Sequence, residues 1–181
     1  MPNRDFIAWV LEDAVQIQKK HNLPAAVITA QACLETGYGK HIITDMHTGQ
    51  FSYNLFNIKG EGPAGSVLIT TTEYVRGRKT RVQHRFRAYH NYEESFEDLA
   101  ELMALERYKP CREAAGDPDE YARQLKICGY ATDPQYHTKL IRIMNSYNLK
   151  ERAREMMSDW QLQYVIRKDE KRLIMRWAKS S

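Results

Sequence analysis

The β-forming signal in this chain is confined to one stretch near its middle. Residues 67–75 (VLITTTEYV) and 81–89 (RVQHRFRAY) are rich in β-branched and aromatic side chains, and the basic turn RGRK separates them. Alternation at Val82, His84, Phe86 and Ala88 has the two-residue period of a strand with one covered face. Helical patterning lies on both sides. The order helices, hairpin, helices predicts an α+β domain in which the hairpin forms a second, smaller lobe.

On the N-terminal side, Asn3 or Asp5 can cap a helix reaching about His21, with Phe6, Val10, Ala14 and Ile17 on one stripe. Pro24 suits the first turn of a second helix that turns Val27, Ala30, Cys33 and Leu34 inward. Gly37 or Gly39 should end it. A loop rich in Gly, Asn and Thr follows over 41–66. Beyond the hairpin, Ser95, Phe96, Leu99, Leu102 and Met103 mark a helix over 93–106. Asp117 or Asp119 can cap another over 119–128, and Asp133 with Pro134 opens one more, to about Tyr147. The end of the chain supports two readings. Trp160, Leu162, Tyr164 and Ile166 alternate as a strand that RLIMRW (172–177) could pair with, yet the same stretch suits a basic amphipathic helix.

A chain of 181 residues has a one-domain length. The early apolar run FIAWVL (6–11) meets Glu12 and Asp13 at once, so neither a transmembrane segment nor a signal peptide is expected. Charge divides the chain. Residues 1–149 hold 18 basic and 18 acidic side chains, whereas 150–181 hold nine basic and five acidic, which carries the whole net +4. The expected organisation is therefore a neutral domain, 1–149, and a basic C-terminal appendage, 150–181. Six Lys or Arg without an acid fall in 76–87, and six Asp or Glu without a base in 93–106. These segments either compensate each other or offer a basic ribbon to a polyanion. No nucleic-acid motif accompanies them, and the acidic segment would repel phosphates, so nucleic acid is not an expected partner. Cys33, Cys111 and Cys128 lack metal-ligand spacing and the six histidines form no cluster. No metal or cofactor is expected, and the thiols read as structural.

Two carboxylates stand out. Glu35 falls in the last turn of the second helix, where the negative end of the macrodipole and nearby Val27, Cys33 and Leu34 should raise its pKa. Glu73 interrupts a run of strand formers and is followed by six basic residues that should hold it ionised. One carboxyl raised and one held down is the acid–base pattern of glycoside hydrolysis.

Six motifs occur in order: AQACLETGYGK (30–40), YNLFNIKG (53–60), TTTEY (70–74), FRAYHNYEES (86–95), RY (107–108) and GYATDPQYHTKL (129–140). Together, over about residues 5–147, they resemble the glucosaminidase domain of glycoside hydrolase family 73. That family comprises peptidoglycan hydrolases of the flagellar rod-cap, autolysin and phage-lysin types. The resemblance implies a lysozyme-like fold, with a helical lobe and a small β-lobe flanking a cleft, and endo-acting cleavage of the β-1,4 bond after N-acetylglucosamine. It implies Glu35 as the general acid and Glu73 as the second carboxylate, with the substrate's 2-acetamido group as a possible alternative nucleophile. Tyr38, Asn54, Tyr74 and Tyr130 fall in the motifs that line the family's cleft and are expected to bind substrate. Phe56 is expected to pack. Tyr38 stands where tryptophan is more usual, and Asn57 where glycine is frequent, which bears on the fit of sugar subsites.

The function expected is hydrolysis of the bacterial cell wall, with the glycan strand as partner and the basic tail on anionic wall polymers. A phage or prophage lysin, made in the cytoplasm and acting after release, is the expected context. A muramidase on the same fold, or a non-catalytic wall-binding or assembly module, are the alternatives.

Overall fold

Helix α1 (Asn3–His21) presents Phe6, Ile7, Val10, Leu11, Ala14, Val15 and Ile17 to the interior, so the early apolar run is core rather than surface. In this computed structural model the backbone is described for residues 3–75 and 78–178. Side chains are described for 3–70, 81–161, Tyr164 and Lys168. Helix α2 (Ala25–Thr36) is apolar almost all round and packs against α1, which makes it the central element of the helical lobe. It ends as the sequence predicts. Gly37 takes a left-handed φ of 56° and donates its N–H to the Cys33 carbonyl.

The hairpin pairs β1 (Ser66–Val75) with β2 (Arg78–Arg87) in antiparallel register, from Ser66 opposite Arg87 to Val75 opposite Arg78. Its base buries Val67, Phe86 and Ala88 in a small cluster of their own, separate from the helical core. The preceding segment is more ordered than a loop reading suggests. Asp45 accepts from the backbone N–H groups of His47, Thr48 and Leu68, which ties 45–48 to β1 and holds its carboxyl well below the usual range.

Helix α3 (Tyr92–Ala104) is capped by the Asn91 side chain, which accepts from Glu94 N–H. A short 3₁₀ turn (Glu106–Tyr108) and helix α4 (Lys109–Glu113), both absent from the sequence expectation, connect it to α5 (Pro118–Ile127). Asp117 caps α5 as expected. Helix α6 (Tyr136–Ser146) starts later than expected, after a turn over 134–135 in which Asp133 accepts from Gln135 N–H and pairs with Lys139.

The strand reading of the chain end gives way to a single helix, α7 (Leu149–Ala178). Leu149 and Ala153 are buried, Met156 and Met157 pack on the core, and Trp160 stacks on Tyr164. These positions recur at helical spacing, which the local alternation around Trp160 conceals. The segment read as an appendage thus begins inside a helix whose first turns belong to the core. Among the described residues no helix is long and apolar enough to cross a membrane.

Candidate active site

Glu35 sits one residue before the end of α2 and half-buried, on the wall of a cavity of about 580 Å³ between the helical lobe and the base of the hairpin. Asn57 and Ile58 from the loop before β1, Arg87 from β2, Arg107, and Tyr130 and Tyr136 from around α6 complete the part that surrounds it. Both carboxyl oxygens are held. Tyr136 Oη donates to Oε1 at 3.0 Å, and Asn57 Nδ2 donates to Oε2 at 3.0 Å. Burial raises the pKa of the carboxyl above its ordinary value, and the two donated bonds pull in the opposite direction by favouring the ionised form. Burial wins, so the group retains its proton to higher pH than an exposed glutamate.

Tyr130, one of the expected substrate residues, lines this cavity. Its hydroxyl donates to the Phe56 carbonyl at 3.1 Å and its ring stacks on Tyr136 at 5.7 Å between centroids. Arg107 fixes the turn that carries Tyr130 by donating to the Cys128 and Gly129 carbonyls. Phe56 packs against Phe96 in the core, as expected.

Two other expected contacts are not with the cavity. Tyr38 lines a second groove with Phe6, Trp9 and Tyr92, and meets Tyr147 edge-on at 5.8 Å. The cause is local: Gly37, Tyr38 and Gly39 all take positive φ, so the chain reverses after α2 and the spacing from Glu35 no longer places Tyr38 on its face. Asn54 is fully buried and saturated. Its Nδ2 donates to the Ile58 and Arg87 carbonyls at 2.9 and 3.0 Å, and its Oδ1 accepts from Phe56 and Ile58 N–H. It is a bracket between the 52–58 loop and the end of β2, with no capacity left for sugar.

Glu73 and Tyr74 lie on β1, with backbone partners Thr80 and Lys79. Their side chains lie outside the described residues. A further carboxylate does line the cavity with Glu35, namely Asp133. Lys139 Nζ at 2.6 Å and Gln135 N–H hold it ionised.

The sequence does not single out Tyr136, and it marks Asn57 only as a departure from glycine that bears on subsite fit. Tyr136 is buried at the start of α6 and reads as core. Gln31, buried on α2, donates to its hydroxyl at 3.4 Å and so leaves the phenolic proton for Glu35.

The chain is similar to known proteins over most of this structure. The sequence profile of the glucosaminidase family, described as mannosyl-glycoprotein endo-beta-N-acetylglucosaminidase, matches residues 11–149. The peptidoglycan hydrolase FlgJ of Pseudomonas aeruginosa is 37% identical over 142 residues, covering 77% of this chain and 35% of that protein. The exo-glucosaminidase LytG of Bacillus subtilis is 35% identical over 140 residues, covering 74% and 47%. The chain thus spans half or less of the curated relatives it matches. Among solved structures, the catalytic domain of the autolysin Auto from Listeria monocytogenes superposes with a TM-score of 0.69 at 32% identity, covering 82% of this chain and 86% of that one. The glycoside hydrolase domain of Salmonella typhimurium FlgJ, C-terminally truncated, gives 0.66 at 34%, covering 81% and 97%.

Proposed function

This chain belongs to the glucosaminidase family, and from that membership we propose that it is a peptidoglycan hydrolase. In this reading it is an endo-β-N-acetylglucosaminidase that cleaves the β-1,4 bond after N-acetylglucosamine in cell-wall glycan strands. The observation that carries the reading is the Glu35 carboxyl, raised by burial, held at both oxygens and facing a cavity between two lobes. Its proton passes to the glycosidic oxygen as the C1–O bond breaks, which requires the protonated form near neutral pH. Tyr130, backed by the buried ring of Tyr136, gives the cavity an aromatic wall suited to sugar rings. Digestion of purified cell walls tests the reading. Soluble fragments with new reducing ends support it, and intact walls with bound protein would make the chain a binding module instead. Release of oligomeric fragments would support endo cleavage, against the exo action that the name of the LytG relative describes.

Glu73 is our candidate for the second carboxylate, activating water unless the substrate's 2-acetamido group attacks C1. Asp133 is its competitor, because it lines the cavity and is held ionised. Glu73→Gln is expected to lower turnover by about 10²-fold or more, within the range of general acid–base catalysis. Asp133→Asn should leave it within about threefold, since an exposed ion pair contributes little. The opposite ranking would transfer the role to Asp133.

The bacterial cell wall is the proposed site of action, and a lysin of phage or prophage origin the proposed context. The tail is proposed to hold the enzyme to anionic wall polymers, since 162–181 contain six basic and two acidic residues. Truncation after Gln161 spares Leu149, Ala153, Met156 and Met157. It should weaken co-sedimentation with cell walls several-fold at low salt, and the difference from wild type should vanish as salt screens the attraction. Unchanged sedimentation would assign the tail to packing or self-association.

A further inference from the structure

We propose that Asn57 is a positioning residue for Glu35, its side-chain amide clamping the carboxylate to the end of α2 so that the proton is delivered in one direction. The inference rests on the general-acid reading of Glu35. Its starting point is geometric. Nδ2 of Asn57 lies 3.0 Å from Glu35 Oε2 and 3.0 Å from the Glu35 backbone oxygen. Both hydrogens of one amide are therefore directed at a single residue. One of them satisfies a carbonyl that the end of a helix would otherwise leave without a partner. The other fixes the carboxylate relative to that carbonyl. Tyr136 holds the opposite oxygen from α6, so the carboxyl is gripped from two elements.

Position 57 carries two burdens that this grip explains. Its backbone φ of 50° is left-handed, a conformation glycine adopts freely and other residues adopt at some cost. Its Oδ1 is also buried and has no hydrogen-bond partner among the described residues, a state rarely left standing in a native fold. Turning the amide over would set Oδ1 against the Glu35 carbonyl, an acceptor against an acceptor. A glycine at 57 would carry neither burden and would keep the loop conformation. What asparagine adds over glycine is the pair of bonds to Glu35. Local penalties without structural return concentrate where function demands them.

Asn57→Gly isolates the amide because the backbone is already in glycine's territory. On soluble peptidoglycan fragments, kcat is expected to fall about tenfold, with KM within about twofold, as loss of a transition-state interaction requires. Thermal stability should be unchanged or slightly raised. The high-pH limb of kcat should move to higher pH, because the lost N–H donor favoured the ionised carboxyl. Asn57→Asp keeps the shape but brings a second carboxylate against Glu35. It should move that limb further upward without restoring kcat. The other ionisable groups on the cavity, Lys59, Arg87, Arg107, Tyr108, Tyr130, Asp133 and Tyr136, are common to all variants. Wild-type kcat and an unmoved limb in Asn57→Gly would overturn the proposal, as would a loss of stability with no change in the pH profile. Glu35→Gln in the same assay separates the two readings. Full activity there would remove the general-acid premise, whereas an inactive Glu35→Gln beside a wild-type-like Asn57→Gly would remove only the clamp.

Discussion

Glu35→Gln is expected to reduce cell-wall hydrolysis by about 10³-fold while leaving the protein folded. The glutamine has no proton to give at any useful pH, so the loss falls on the bond-breaking step. The fold should tolerate the change. Burial already disfavours the charged carboxyl, and a neutral amide removes that penalty while disturbing one of the two hydrogen bonds from Tyr136 and Asn57. Stability within about 1 kcal/mol of wild type follows. The wild-type pH profile should show the same group. The active form is the protonated one and its pKa is raised, so activity persists above the ordinary carboxylate range and declines as pH rises through the raised value. Turnover within tenfold of wild type in Glu35→Gln would show that the acid lies elsewhere.

Asn54→Ala should have the largest effect on stability. The side chain is fully buried and makes four bonds to backbone groups of Phe56, Ile58 and Arg87. Truncation leaves the Phe56 and Ile58 N–H groups without their partner in the interior, at about 1–3 kcal/mol for each group left unsatisfied, whereas the Ile58 carbonyl keeps the Arg87 N–H. Relaxation and water entry will recover part of this, so a loss of about 3–5 kcal/mol is expected from denaturant midpoints. Activity should fall with it, because the loop that Asn54 braces also delivers Asn57 to Glu35. A loss below about 1 kcal/mol would contradict the bracket role.

The hairpin and the caps were readable because each depends on local chemistry. Period-two alternation defines β1 and β2, and Gly37 and Asp117 act on their own neighbours. The placement of Glu35 and the direction of its pKa were readable for the same reason, as a carboxylate at a helix end beside apolar neighbours. The roles of Asn54, Tyr38 and Tyr136 were not, because they depend on tertiary packing. Asn54 looks like a loop amide until β2 brings the Arg87 carbonyl beside it. Tyr38 follows Glu35 by three residues, but three successive left-handed residues turn it into another groove. Tyr136 fits the apolar face of α6, and nothing local reveals that its hydroxyl reaches α2, 101 residues away in sequence. The chain end was misleading in a different way. Its alternation around Trp160 competes with the helical spacing from Leu149 through Ala153 to Met156 and Met157 that the core selects.

The most direct test of the central claim is the chemical identity of the new chain end. Purified peptidoglycan digested with the protein and then reduced with borohydride should yield fragments terminating in N-acetylglucosaminitol, and Glu35→Gln should yield none. Fragments ending in N-acetylmuramitol would contradict the account, since the enzyme would then cut the other β-1,4 bond of the strand.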